Sequence, residues 1–280
     1  MAADALEKHS LADLAKEKTL SCGITQKIVN LKDAALARKI GRERGVYVTF
    51  DCAASALSSE RGIKALQGYI ANTVSELFGV QGRKSAVLVV GLGNDEILAD
   101  SLGCRVVRLL RVSDTAEVSR KNGRPRLCAF AAGVEGVTGI KTAETVEGVC
   151  ARLKPSAVIV VDSLATASAT RLGASFQITS AGIAPASGVG GDKARIDRST
   201  LGVPVVAVGV PLVLSMRTVL KTFSDEYTAA VGCEGNEFKM RELMAEKRLS
   251  GLVVAPKEIK FYVESAANIV AGAINKAYGV

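Results

Sequence analysis

Ala157-Val158-Ile159-Val160-Val161-Asp162 is a run of five apolar residues closed by a carboxylate. A second run of the same kind, Ala86-Val87-Leu88-Val89-Val90, leads into Gly91-Leu92-Gly93-Asn94. A strand that is apolar at every position has both faces covered, which is the condition of a central strand in a parallel sheet. Three further short runs read as strands: Val46-Tyr47-Val48-Thr49-Phe50, Leu127-Cys128-Ala129-Phe130 and Val205-Val206-Ala207-Val208. Helical spacing fills the intervals. Ile63, Leu66, Ile70, Val74 and Leu77 form one stripe, and further helices are expected over Ser101–Leu110 and Ala143–Leu153, the latter stopped by Lys154-Pro155. A last helix is expected from Pro256, placed in its first turn, through Ile259, Val263, Ala266, Ile269, Val270, Ala273 and Ile274. Strands alternating with helices predict an open α/β/α sandwich with a mostly parallel central sheet.

Composition narrows the class. The chain has 280 residues, of which 48% are hydrophobic and 23% charged, the balance of a globular protein with a sizeable core. Aromatic residues are 4% and Trp is absent, so stacking platforms for single-stranded nucleic acid are not expected. No apolar run reaches the roughly 18 residues that span a bilayer, and the N-terminal segment lacks the pattern of a secretory signal. A cytoplasmic protein with no membrane contact and no direct nucleic-acid partner is expected. Lys and Arg exceed Asp and Glu by 36 to 28, but the excess is spread out, its densest stretch being Arg120–Arg126. Six Cys, with no C-x-x-C pair, read as reduced thiols.

One histidine, His9, is all the chain contains. Ser-His-Asp and Cys-His mechanisms are thereby disfavoured, as are histidine-rich zinc sites, and neither metal nor cofactor is expected. Acid–base chemistry then falls to other groups, and two carboxylates stand out. Asp162 follows its apolar run directly, at the carboxyl end of a buried strand where open α/β sheets bind ligands. Asp100 follows the other run after a short connection and stands at a loop-to-helix junction. Either could be a plain helix cap. Facing one crevice, they could not both ionise cheaply, and such a pair can hold one proton, activate water and protonate a leaving group. The Gly91-Leu92-Gly93 turn is not a dinucleotide fingerprint, because Glu96 stands where a third Gly is needed. The longest stretch without periodicity, Thr179–Thr200, is rich in Gly, Ser and Ala. Its segment Gly182–Asp192, with Gly188 and Gly190, is expected to border the substrate cleft.

These residues carry a resemblance. Val89–Asn94 with Ala99-Asp100-Ser101-Leu102-Gly103 resembles the VVGLGN…TPDALG segment of the germination (spore) proteases. Gly133–Glu144 is similar to their GVMGxTGIET-E segment, and Lys154-Pro155 through Ala165 to KPDxVIxIDALA. Gly182-Ile183 with Ser187-Gly188-Val189-Gly190 resembles TGIxPGSGVGN. Leu201–Pro211 is similar to LGIPVIAIGVPT, and Val254–Ile259 to VTPKEID. The six segments come in the family's order across residues 85–275.

The resemblance implies an atypical aspartic endopeptidase that degrades the small acid-soluble proteins coating DNA in the spore core during germination. It implies a fold like that of the hydrogenase maturation endopeptidases, a homotetramer, and a zymogen that processes itself. The family's two aspartates fall on Asp100 and Asp162. Its cleavage motif, Thr-Glu-Phe/Ile-Ala followed by Ser-Glu, is similar to Ala12-Asp13-Leu14-Ala15 followed by Lys16-Glu17. Residues 1–15 are therefore expected to be a propeptide, cut between Ala15 and Lys16, ahead of a single catalytic domain over 16–280. The chain departs from the pattern too. TPDALGP has become Leu98-Ala99-Asp100-Ser101-Leu102-Gly103-Cys104, losing both prolines, and Pro-Gly before SGVG is Pro185-Ala186. The alternatives are a hydrogenase-maturation-like endopeptidase and a non-catalytic binding module of the same fold. The first uses a His in its site, as peptidyl-tRNA hydrolases do in theirs, and here only His9 is available.

Overall fold

The two wholly apolar runs lie side by side in the middle of one sheet. The computed structural model describes residues 15–79, 86–112, 125–185, 194–231 and 252–279. Its strands are β1 (Ala15–Thr19), β2 (Ile24–Leu31), β3 (Gly45–Cys52), β4 (Ala86–Gly91), β5 (Arg126–Ala131), β6 (Ala157–Thr166), β7 (Ser175–Thr179), β8 (Val205–Ser215) and β9 (Val253–Val254). The helices are α1 (Ala34–Lys39), α2 (Ala54–Ser58), α3 (Glu60–Phe78), α4 (Leu102–Leu109), α5 (Glu135–Thr138), α6 (Thr142–Leu153), α7 (Arg198–Leu201), α8 (Met216–Val231) and α9 (Ile259–Tyr278). None of the described helices is long and apolar enough to cross a membrane.

Across the sheet the order is β1-β2-β3-β7-β8-β6-β4-β5, with β9 added to β8. The pairs β8·β6, β6·β4 and β4·β5 are parallel and the others antiparallel. In consequence β1, β3, β4, β5, β6 and β8 all point one way. The parallel run β5-β4-β6-β8 has the 2-1-3-4 order of a doubly wound sheet, whose connections leave for opposite faces at the first and third strands. Open sheets of this order bind ligands at that point, outside the carboxyl ends of the strands, here β4 and β6.

Helices cover both faces. Leu66, Ile70 and Val74 of α3, Leu102 and Val106 of α4 and a broad stripe of α9 pack on one face, against Val87, Val89, Ile159, Val161, Val206 and Val208. Ala143, Val146 and Cys150 of α6 pack on the other, against Leu88, Val90, Val158 and Val160. A smaller cluster of Val29, Leu31, Tyr47 and Ile40 lies on that second face at the α1 end. The expected α/β/α layering therefore holds.

Local chemistry sets the element ends. Ser59 caps α3 by accepting a hydrogen bond from Gly62 N at 3.1 Å. The end of α6 lies at Leu153, and Lys154, in the left-handed region, leaves the right-handed helical conformation that Pro155 disfavours in the residue before it. Two expectations need correction. Pro256 precedes α9, which begins at Ile259, and β6 does not stop at Val161 but runs on to Thr166, so Asp162 lies within the strand. The described cysteines are free. Burial pushes the Cys52 thiol up to about 12 and Cys150 up to about 11, so neither is a ready nucleophile.

Candidate active site

The turn after β4 is built to approach both its neighbours closely. Leu92 N donates to Val161 O at 2.9 Å, carrying the β4·β6 ladder one step past the end of β4. Gly93 has φ +97°, and a Cβ there would collide with the Asp100 carbonyl oxygen. Asp100 closes a single 3-10 turn, Leu98–Asp100, and Ser101 then leads into α4. The first turn of α4 crosses the ends of β4 and β6 so tightly that a Cβ on Gly103 would meet the backbone of Leu92 and lie 2.6 Å from Val161 O. The glycines of the Gly-Leu-Gly-Asn and Asp-Ser-Leu-Gly strings therefore share one role. They let the segment bearing Asp100 fold down onto the strand bearing Asp162.

Asp100 is not a helix cap. Its Oδ2 accepts a hydrogen bond from Asn94 N at 2.7 Å, so the carboxylate turns back into the loop. Burial raises its pKa and the Asn94 N–H lowers it again in part. Asp162 lies opposite Gly209 of β8, one residue beyond the last β4 partner, since Gly91 pairs with Val161. Strand alternation puts its side chain on the face of Val158 and Val160. Its Oδ1 accepts from Ser163 N at 2.8 Å. Burial, and after it the negative charge of Asp100, pushes the Asp162 carboxyl up to about 7, against a smaller opposing effect of the Ser163 N–H. The two carboxyls thus titrate as a pair, with the proton favoured on Asp162 near neutral pH.

The surroundings extend the site in a way that no strand pattern revealed. On the Asp162 face, the row across the sheet continues through Gly209, Gln177, Thr49 and Lys27. This row runs along one end of both the α6 core and the α1 cluster, whose strand residues Val160, Tyr47 and Val29 stand in the next row back. Gly188 and Gly190 lie outside the described residues, but the stems of their segment are described. Ile183 and Ile196 exchange both backbone hydrogen bonds, at 3.0 and 2.8 Å, and pack beside Val158 and Val160 on the Asp162 face.

Other sequence expectations fall elsewhere. Ala15 and Lys16 are the first two residues of β1, paired with Val29 and Ile28. Five inter-strand steps separate β1 from β6, about 24 Å at the usual strand spacing. His9 lies outside the described residues, as does Arg120–Arg126 except for Pro125 and Arg126. Among the described residues no three His, Cys, Asp or Glu gather as a metal ligand set.

Comparison with known proteins adds what geometry alone does not. A protein named germination protease from Caldanaerobacter subterraneus subsp. tengcongensis is 33% identical over 276 residues, covering 91% of this chain and 85% of its own. Another from Clostridium acetobutylicum is 32% identical, covering 85% of this chain and 80% of its own. Among solved structures, a NiFe hydrogenase maturation protease, HycI from Thermococcus kodakarensis, aligns with TM-score 0.40 at 20% identity, over 72% of this chain and 99% of that one. The family model described as germination protease matches residues 3–251, and the chain belongs to that family of peptidases.

Proposed function

We propose that the chain is an aspartic endopeptidase whose catalytic groups are Asp100 and Asp162, acting on small acid-soluble DNA-coating proteins in the germinating spore core. The observation that carries this reading is the pair itself: Asp162 raised to about 7 by burial and by the charge of Asp100, where β4 ends beside β6. A carboxyl poised near neutral pH next to an ionised one supplies an acid and a base without histidine. Ionised Asp100 accepts a proton from water as the water oxygen adds to the scissile carbonyl carbon. Protonated Asp162 gives its proton to the carbonyl oxygen. As the tetrahedral gem-diol collapses and the C–N bond breaks, Asp100 passes the proton it took from water to the amide nitrogen and one hydroxyl returns its proton to Asp162, giving a carboxylic acid, an amine and the starting pair. The family's cleavage pattern extends the reading to a zymogen cut between Ala15 and Lys16.

The test is direct. Asp100→Asn and Asp162→Asn are each expected to lower kcat on a purified small acid-soluble spore protein by about 10²- to 10⁴-fold. Circular dichroism should show an unchanged fold, with fragments followed by mass spectrometry. Near-parental cleavage by Asp162→Asn would overturn the assignment.

A further inference from the structure

The loop that bears Asp100 is gripped by α4 at three points. Ser101 is fully buried. It makes no capping bond to α4. Instead its Oγ donates to Leu98 O at 2.9 Å and accepts from Arg105 Nε at 2.9 Å. Arg105 is in turn anchored, its Nη1 lying 3.8 Å from Glu264 Oε1 on α9. Cys104 Sγ reaches Gly93 O at 3.6 Å, and Arg108 pairs with Asp95. The carbonyl that closes the Asp100 turn is thus tied, through one hydroxyl and one guanidinium, to two helices. A buried hydroxyl that both donates and accepts is stiff, and deleting it leaves a carbonyl and an N–H short of partners.

The need for such a tie is written in the sequence. The TPDALGP motif that this segment resembles carries proline just before its aspartate and again four residues after it, with alanine following the aspartate. Proline fixes φ near −65° and so stiffens a turn through its own backbone. Here those three positions hold Ala99, Cys104 and Ser101. Two of the three replacements, Ser101 and Cys104, hydrogen-bond the loop that the missing prolines would have stiffened.

We infer that Ser101, held by Arg105, is a positioning residue that locks the Leu98–Asp100 turn so that Asp100 faces Asp162, in place of the restraint proline gives the motif. This rests on the reading of Asp100 and Asp162 as the catalytic pair. Ser101 acts through the backbone of the turn and touches no reacting atom.

The experiment compares parent, Ser101→Ala, Arg105→Lys and the double variant Ser101→Ala/Ala99→Pro, with a purified small acid-soluble spore protein as substrate. Ser101→Ala is expected to lower kcat about tenfold or more while KM changes less than about twofold. The alkaline limb of its kcat profile should move to lower pH, because an Asp100 free to swing away no longer presses its charge on Asp162. Arg105→Lys keeps a donor and should retain most of the activity. Ala99 makes no backbone hydrogen bond through its own N–H in that turn, so proline costs none there. Adding it should restore both kcat and the alkaline limb. A Ser101→Ala profile matching the parent would overturn the inference. So would a loss of kcat that tracks a fall in Tm and is not recovered by Ala99→Pro, since that is a merely structural role. Asp100→Asn, run in parallel, tells the two levels apart: if it still cleaves, the catalytic pair fails and the positioning role falls with it, whatever Ser101 does.

Discussion

Asp162 is the residue on which the physical argument turns. Its carboxyl titrates near 7 in the folded chain and near 3.8 when unfolded, chiefly because burial disfavours the charged form. The folded state therefore binds the extra proton between these values. The stabilising contribution is complete below about 3.8 and is lost as pH rises through about 7. Asp162→Asn removes that dependence while keeping the shape. The variant should match the parent near pH 4 and exceed it at pH 8 by about 2 kcal/mol. Thermal or urea denaturation at the two pH values reads the difference, and parallel curves for both proteins would contradict it. The same residue shows what a sequence can disclose. An Asp closing an apolar run is visible by eye. That β6 runs past it to Thr166 is not, because Ser163, Leu164 and Ala165 lose their β4 neighbour and show no strand pattern.

At the scale of elements, the crossing of α4 over β4 and β6 decides whether the two aspartates meet. Gly103 is its closest point, with Leu92 and Val161 backbone where a side chain would stand. Gly103→Ala should cost about 1–3 kcal/mol, the usual penalty for overpacking. It should reduce kcat far more than that loss of stability explains, since α4 carries the Asp100 loop away as it shifts. Urea midpoints and single-turnover rates measure the two effects, and an alanine variant of parental stability and rate would show that the crossing is loose. Strand legibility follows the same packing logic. The runs 86–90 and 157–161 declare themselves because helices cover both their faces. β2 and β7 escape notice because only one face is buried in the main core. Thr25, Lys27 and Gln177 interrupt them on the other side, where the Asp162 row runs.

For the whole molecule, the strand order sets a distance that bears on the proposed cleavage between Ala15 and Lys16. The Ala15–Lys16 bond begins β1 at one edge of the sheet, about 24 Å of strand spacing from Asp162. Cleavage there requires β1 to peel from β2 or a second copy to supply the carboxylates. Edge strands are the part of a sheet most easily released. N-terminal sequencing of protein incubated until active should find a chain starting at Lys16, and Asp100→Asn protein free of other proteases should stay uncut. A fully active chain with its N-terminus intact would remove the zymogen reading. Sequence alone determined the α/β class, the central strands, the stop of α6 before Pro155 and the candidacy of Asp100 and Asp162. All of these are local signals, carried by apolar periodicity, the rigidity of proline and the scarcity of histidine. Only the tertiary structure decided that the two carboxyls lie close enough for one charge to act on the other, that burial and that charge raise Asp162, and that Ser101 hydrogen-bonds both the Leu98 carbonyl and Arg105. Those outcomes depend on strands β4 and β6 pairing across about 70 residues of chain and on backbone approaches of a few ångströms, which no linear pattern encodes.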